Sequence, residues 1–184
     1  MPDINLDNVK AIDVTADYKR LSPGGYVVKI VDIQPEDDHQ RFWIVFDIAE
    51  GDDAGFYATE HGIKNPWTHR VLVSYKDTAL GVLKGRFNLL ASCNPGFDPE
   101  AAFRADAWEL FNGKLFGLIV GAEEYESNTG ETRERLDWFN AKWRAVDTIR
   151  NGSFRIPETK KKDRAIAVPQ VTERTAVYDD IPFD

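Results

Sequence analysis

Tryptophans and basic residues alternate along two stretches of this chain, and the chemistry they offer is binding rather than bond-breaking. In Arg41-Phe42-Trp43-Ile44-Val45-Phe46-Asp47-Ile48, every second residue places Arg41, Trp43, Val45 and Asp47 on one side. In Trp138-Phe139-Asn140-Ala141-Lys142-Trp143-Arg144, the same alternation groups Trp138 and Asn140 with Lys142 and Arg144. Cations track phosphates, and indole faces stack bases at about 1–3 kcal/mol per base. Lys29, Arg70 and Lys76 fall on matching sides of neighbouring apolar segments. Trp67 lies in a long loop with Lys64 and His69 nearby. Core or interface packing is the competing reading for each indole, and a cation stacked on an indole within the fold would leave the same pattern. Trp143 is assigned to the core.

Catalytic signatures are missing. There is no phosphate-binding glycine loop, no Gly-x-Ser-x-Gly elbow and no His-Glu-x-x-His. His39, His61 and His69 sit in or beside turns, without ligand-like spacing. Cys93 is the only cysteine, which excludes an internal disulfide and a multi-cysteine zinc site, and fits a reducing compartment. It reads as a buried small apolar residue at a helix end. Glu123, Glu124 and Glu126, with Asp98, Asp106 and Glu109, are the carboxylates available to a metal-dependent nuclease, but no lysine accompanies them in a recognisable pattern. No enzyme, cofactor or metal site is expected. The net charge of −8 opposes nucleic-acid binding in bulk, so useful cations must be gathered on one face. No apolar run is long enough to span a bilayer. Met1-Pro2-Asp3-Ile4-Asn5 lacks a basic, apolar start, so no secretion signal is expected.

The elements that would position these residues follow from periodicity. Alternation predicts strands over 26–33, 41–48, 69–75, 115–125 and 133–149, with a hairpin turn at Ser127-Asn128-Thr129-Gly130. Leu80, Leu83, Phe87 and Leu90 mark an amphipathic helix over 78–92, with Gly81 and Gly85 expected to pack closely on the sheet. A second short helix is expected around 105–110. Phe42, Ile44, Phe46 and Ile48 should face the core, with Val71, Val73 and Tyr75, and with Phe139, Ala141, Trp143 and Ala145. The outer face would carry Lys29, Arg41, Trp43, Arg70, Lys76, Trp138, Lys142 and Arg144, while Lys84 and Arg86 read as solvated helix charges. Three strands, a helix and two strands match a mainly β, OB-fold-like five-stranded Greek-key barrel with its helix between strands 3 and 4. An open α+β sheet is the alternative. Residues 1–21 form an N-terminal arm, 22–156 the OB-like domain, and 157–184 a disordered linker. Lys160-Lys161-Lys162 reads as a solvated charge run in that linker.

The chain closes on Asp179-Asp180-Ile181-Pro182-Phe183-Asp184. Ile181 and Phe183 can fill pockets, Pro182 stiffens the segment, and the acids suit a basic rim on a partner. This run resembles the acidic tail of single-stranded-DNA-binding proteins, although there the phenylalanine is terminal and here Asp184 follows it. Pro23-Gly24-Gly25-Tyr26, Phe46-Asp47-Ile48-Ala49-Glu50-Gly51, Ser74-Tyr75-Lys76-Asp77, Asn94-Pro95-Gly96-Phe97 and Ile149-Arg150-Asn151-Gly152 resemble a family of small phage and mobile-element proteins found beside replication and recombination genes. The resemblance implies a phage-type single-stranded-DNA-binding protein with an OB-like body. It would act in the bacterial host cytoplasm during DNA replication or recombination and recruit partners such as a strand-annealing recombinase through residues 179–184. Separately, one OB body gives a short site, and linking several in a homo-oligomer is an option that raises avidity. The alternatives are a protein–protein interaction module that ignores nucleic acid and, behind it, the nuclease.

Overall fold

A 13-residue strand, β1 (Gly24–Glu36), is the spine of the molecule. The computed structural model describes residues 20–58 and 68–161. Most of the N-terminal arm, Trp67 with Lys64 and His61, and the peptide 179–184 therefore lie outside the described residues. In chain order β1 is followed by β2 (Arg41–Ile48), β3 (Arg70–Ser74), helices α1 (Leu80–Cys93) and α2 (Pro99–Arg104), and strands β4 (Leu115–Val120), β5 (Ala122–Glu126), β6 (Thr132–Leu136) and β7 (Lys142–Arg144). Helix α3 (Val146–Arg150) comes last. Five strands form one antiparallel sheet in the order β3-β2-β1-β4-β7, while β5 and β6 form a separate hairpin. The sheet curls into a half-barrel, so the protein is mainly β.

Alternation builds the core as expected for pleated strands. Phe42, Ile44, Phe46 and Ile48 of β2 meet Val28, Ile30 and Ile33 of β1, Val71 and Val73 of β3, and Phe116, Leu118 and Val120 of β4. The register of β1 against β2 shifts between Ile30 and Asp32. This bulge lets Ile33 point inward after Ile30. Helix α1 lays Leu83, Phe87 and Leu90 on the same core. Its end is tied to β4 by Asn94, whose amide nitrogen donates to the Leu90 and Leu115 carbonyls and whose oxygen accepts from Leu115 N, each at 2.8 Å.

Several expectations need correction. The short α-helix lies at Pro99–Arg104, and the expected 105–110 segment holds only a 3-10 turn, Trp108–Phe111. Asp98 caps the helix by accepting from Ala101 N, and Pro99 occupies its first turn. The strand expected over 115–125 divides at Gly121, where Pro157 packs so closely that a Cβ would lie 3.1 Å from the proline ring. The strand expected over 133–149 is four elements: β6, a 3-10 turn Trp138–Asn140, β7 and α3. The turn forms because the Asp137 side chain accepts from Asn140 N, changing the period from two to three. Trp138 and Phe139 consequently exchange sides. Gly81 and Gly85 do not pack on the sheet, since a Cβ at either would meet open space, and Leu80 is exposed. Asp47, expected outside, is buried. Residues 157–161, assigned to the linker, pack on the body as far as Lys160.

Candidate nucleic-acid interface

On the outer face of β2, Trp43 lies opposite Gln34 of β1 and Leu72 of β3. Its indole nitrogen donates to Glu36 Oε1 at 2.9 Å. The other Glu36 oxygen accepts from Arg41 Nε. These two donors, Arg41 and then Trp43, hold the Glu36 carboxyl below the ordinary carboxylate range. The Arg70 guanidinium stands 3.9 Å from the Trp43 ring centroid and that of Arg41 stands 5.8 Å away. Desolvation lowers the Arg70 pKa from its ordinary value, but a guanidinium stays charged in water-accessible protein sites. One hydrogen bond thus fixes the indole and two cations face it.

Across from Trp43 stands Phe139, 63% exposed, with the ring centroids 6.4 Å apart and tilted by 50°. A cleft of about 650 Å³ opens here, lined by Trp43, Arg70, Phe139, Phe56, Arg20 and Arg135 among others. Arg135 is held by Glu123 at 2.7 Å and lies over the Tyr125 ring. The cleft is therefore aromatic, with arginines oriented by neighbouring acids. Glu123 and Asp137 also line it.

Beneath the cleft, Trp138 is only 5% exposed. Its ring packs edge-on against Phe46 at 4.9 Å and lies 5.5 Å from Tyr26. Its side chain also hydrogen-bonds Tyr57, whose hydroxyl pKa is raised by burial above all. Tyr57 in turn stacks on His69 at 4.4 Å. Buried Asp47 fixes this corner by accepting from Ile48 N at 2.8 Å and Tyr57 N at 2.9 Å. Asp47 is thus an anchor for the loop after β2, and His69 is a buried packing partner.

Of the residues expected to bind, Arg41, Trp43 and Arg70 come together. Trp138 is the clear difference: expected on the outer face, it is packed into the core and reaches the cleft only at its floor. Lys29 is exposed but pairs with Asp47, four positions along β2 from Trp43. Lys76 lies just beyond β3. Lys142 and Arg144 are exposed on β7, at the other end of the strand order. Trp67 lies outside the described residues. Trp143, assigned to the core, is half-buried, stacked on Phe116 at 4.4 Å and covered by Arg86 at 4.9 Å. Arg86 is not a solvated charge: its Nη1 donates to the Leu72 carbonyl at 2.9 Å, and burial lowers its pKa. The strand reading missed Phe139, Phe56, Arg20 and Arg135. For Phe139 the missed signal was Asp137 followed three positions later by Asn140, a local cap that breaks alternation.

Neither a scan against protein-family models nor a search of curated proteins finds a match for this chain. Among the described residues, no group of three or more His, Cys, Asp or Glu side chains could hold a metal ion, and no helix is long and apolar enough to cross a membrane.

Proposed function

We propose that this chain is a sequence-nonspecific single-stranded-DNA-binding protein with an OB-like body, serving phage DNA replication or recombination in the bacterial cytoplasm. The OB-like assignment is supported by the antiparallel order β3-β2-β1-β4 with α1 between the third and fourth strands. It is supported also by the Trp138–Asn140 turn, which packs beside β3 where a closed barrel would seat its last strand. The β5–β6 hairpin is then an insertion before that strand.

The observation that carries the function is Trp43, fixed by Glu36 and faced by Arg70, with exposed Phe139 across the cleft. Bases stack on the two rings while Arg41, Arg70 and Arg135 meet the backbone. Aromatic faces accept every base, so the binding is not sequence-selective. The negative net charge is consistent with a short contact and with linkage of several bodies in a homo-oligomer to raise avidity. Residues 179–184 recruit a recombination or replication partner, with a strand-annealing recombinase as the first candidate.

The test is a fluorescence titration with oligothymidylate at two salt concentrations. The variants are Trp43→Ala, Phe139→Ala and a chain lacking residues 179–184. Binding should weaken with salt by roughly 0.7 log units per decade for each phosphate contact. Either aromatic substitution should weaken it, and the truncation should not. Absence of quenching at low salt would favour the protein-interaction module. Metal-dependent degradation of the strand would favour the nuclease.

A further inference from the structure

From Ile149 in α3 onward the chain runs as a strap over the outer side of the sheet and is seated at successive points by missing side chains. Ile149 occupies the place of a Cβ on Gly117, Phe154 that on Gly25, and Pro157 crowds Gly121, with nearest approaches of 2.6, 2.4 and 3.1 Å. The strap then joins the edge of β5. Lys160 N donates to Ala122 O and Lys160 O accepts from Glu124 N, both at 2.9 Å, making a parallel bridge at Glu123.

The Lys160 side chain reaches further. Its Nζ lies 2.5 Å from Asp137 Oδ2, and the Asp137 side chain is only 6% exposed. Asp137 is the residue that caps the Trp138–Asn140 turn. It accepts from Asn140 N at 3.2 Å and from the Asn140 amide at 3.0 and 2.9 Å. Its own backbone nitrogen donates to Gly121 O at 2.9 Å. That turn sends Trp138 into the core and Phe139 into the cleft. A buried carboxylate is costly unless it is paired and hydrogen-bonded, and the cation that pairs this one comes from the strap.

We infer that Lys160 is a positioning residue for the aromatic cleft: docking of the strap on β5 pairs Asp137, fixes the Trp138–Asn140 turn, and so favours the arrangement that binds a single strand. The inference rests on the proposed function for its ligand but on the Lys160–Asp137 contact for its geometry. It changes the status of the strap from connector to part of the binding site. Linkage makes the coupling reciprocal: a ligand that prefers the docked form must also hold the strap down. Among the described residues the strap's last attachment is a single bridge to β5, the kind of contact that opens locally without global unfolding.

The experiment uses the full chain with Lys160→Met, Lys160→Arg and, as a control for lost charge, Lys161→Met. Hydrogen exchange at the Asn140 and Glu124 amides is followed with and without oligothymidylate, alongside affinity. Lys160→Met should speed both amides and weaken binding roughly three- to tenfold, since one charge-assisted hydrogen bond is lost. Lys160→Arg should restore both properties, Lys161→Met should behave as the parent chain, and the oligonucleotide should slow the Glu124 amide in the parent. Unchanged exchange at Asn140 in Lys160→Met overturns the inference, even if affinity falls. Equal losses in Lys160→Met and Lys161→Met overturn it too, by reducing the effect to bulk charge. A parent chain that ignores the oligonucleotide sinks the proposed function instead, and the exchange comparison without ligand still decides whether Lys160 holds the turn.

Discussion

Trp138 and Phe139 are neighbours with opposite duties, and replacing each by alanine separates them. A tryptophan side chain offers on the order of 200–250 Å² for burial, and Trp138 is 5% exposed. At about 25 cal/mol per Å² that corresponds to ~5–6 kcal/mol. Residual burial in the unfolded chain trims this to about 3–5 kcal/mol, the range found for large aromatic deletions. Phe139 is 63% exposed, so the same conversion leaves it about 1–1.5 kcal/mol. In a chain of this size each kcal/mol moves the melting temperature by roughly 2–4 °C. Trp138→Ala should therefore lower it by about 6–20 °C and Phe139→Ala by about 2–6 °C. Affinity for oligothymidylate should show the reverse order. Phe139→Ala should lose about ten- to a hundredfold, as expected for one stacked base, whereas Trp138→Phe, which keeps a ring in the core, should bind as the parent does. Calorimetry and fluorescence titration on the same preparations read both quantities. Strong destabilisation by Phe139→Ala with a neutral Trp138→Ala would restore the uninterrupted strand and refute the turn-based reasoning.

Other substitutions probe separate parts of the framework. Gly25→Ala should drive the Phe154 ring off its seat and destabilise the fold by about 1–3 kcal/mol; Phe154→Ala made in the same chain should relieve most of that loss, and additive effects in urea unfolding would contradict the contact. Gly81→Ala and Gly85→Ala should each raise stability, by roughly 0.5–1 kcal/mol, because α1 is open at both sites; a loss would restore close packing there. Burial raises the Asp137 carboxyl, but the Lys160 ammonium and the Asn140 donors outweigh it and hold the pKa below the ordinary value. The pair's contribution is thus fully present above the unfolded aspartate value of about 3.9 and is lost as pH falls through the lower folded value. The stability of Asp137→Asn should accordingly fall less steeply than the parent's across that acid range, as followed by denaturant midpoints.

The inner face of the sheet was legible because it obeys one rule. Phe42, Ile44, Phe46 and Ile48 alternate without interruption, and the partner strands bury their own alternating residues against them. The cleft was only half legible. Arg41, Trp43 and Arg70 share a regular surface, so alternation brought them together. Phe139 follows a capped turn, where a local side-chain bond overrides the period, and extending the strand through it put Trp138 on the wrong side. Gly81 and Gly85 misled for another reason: a glycine in a helix signals that something about the position is unusual, but not whether a neighbour is close. Arg86 read as solvated because it is a charge off the apolar stripe of the helix; its contacts to Leu72 and Trp143 come from distant strands that helical periodicity does not see.

The length and sharing of β1 also govern the order in which the molecule can assemble. Its hairpin with β2 is local, but its other edge waits for β4, where Gly24 pairs with Val120. Gly25 is covered only when Phe154 arrives. At about 5–20 residues per second, roughly 4–15 s of synthesis separate the end of β2 from the end of β4. During that interval the nascent hairpin has at most β3 and α1 to cover Phe42, Ile44 and Phe46, and the β4 side of the core stays open. Long-range pairing of this kind slows folding and lengthens exposure to aggregation. The yield of this protein in cells should therefore depend on what shields that hairpin while the second half of the chain is being made.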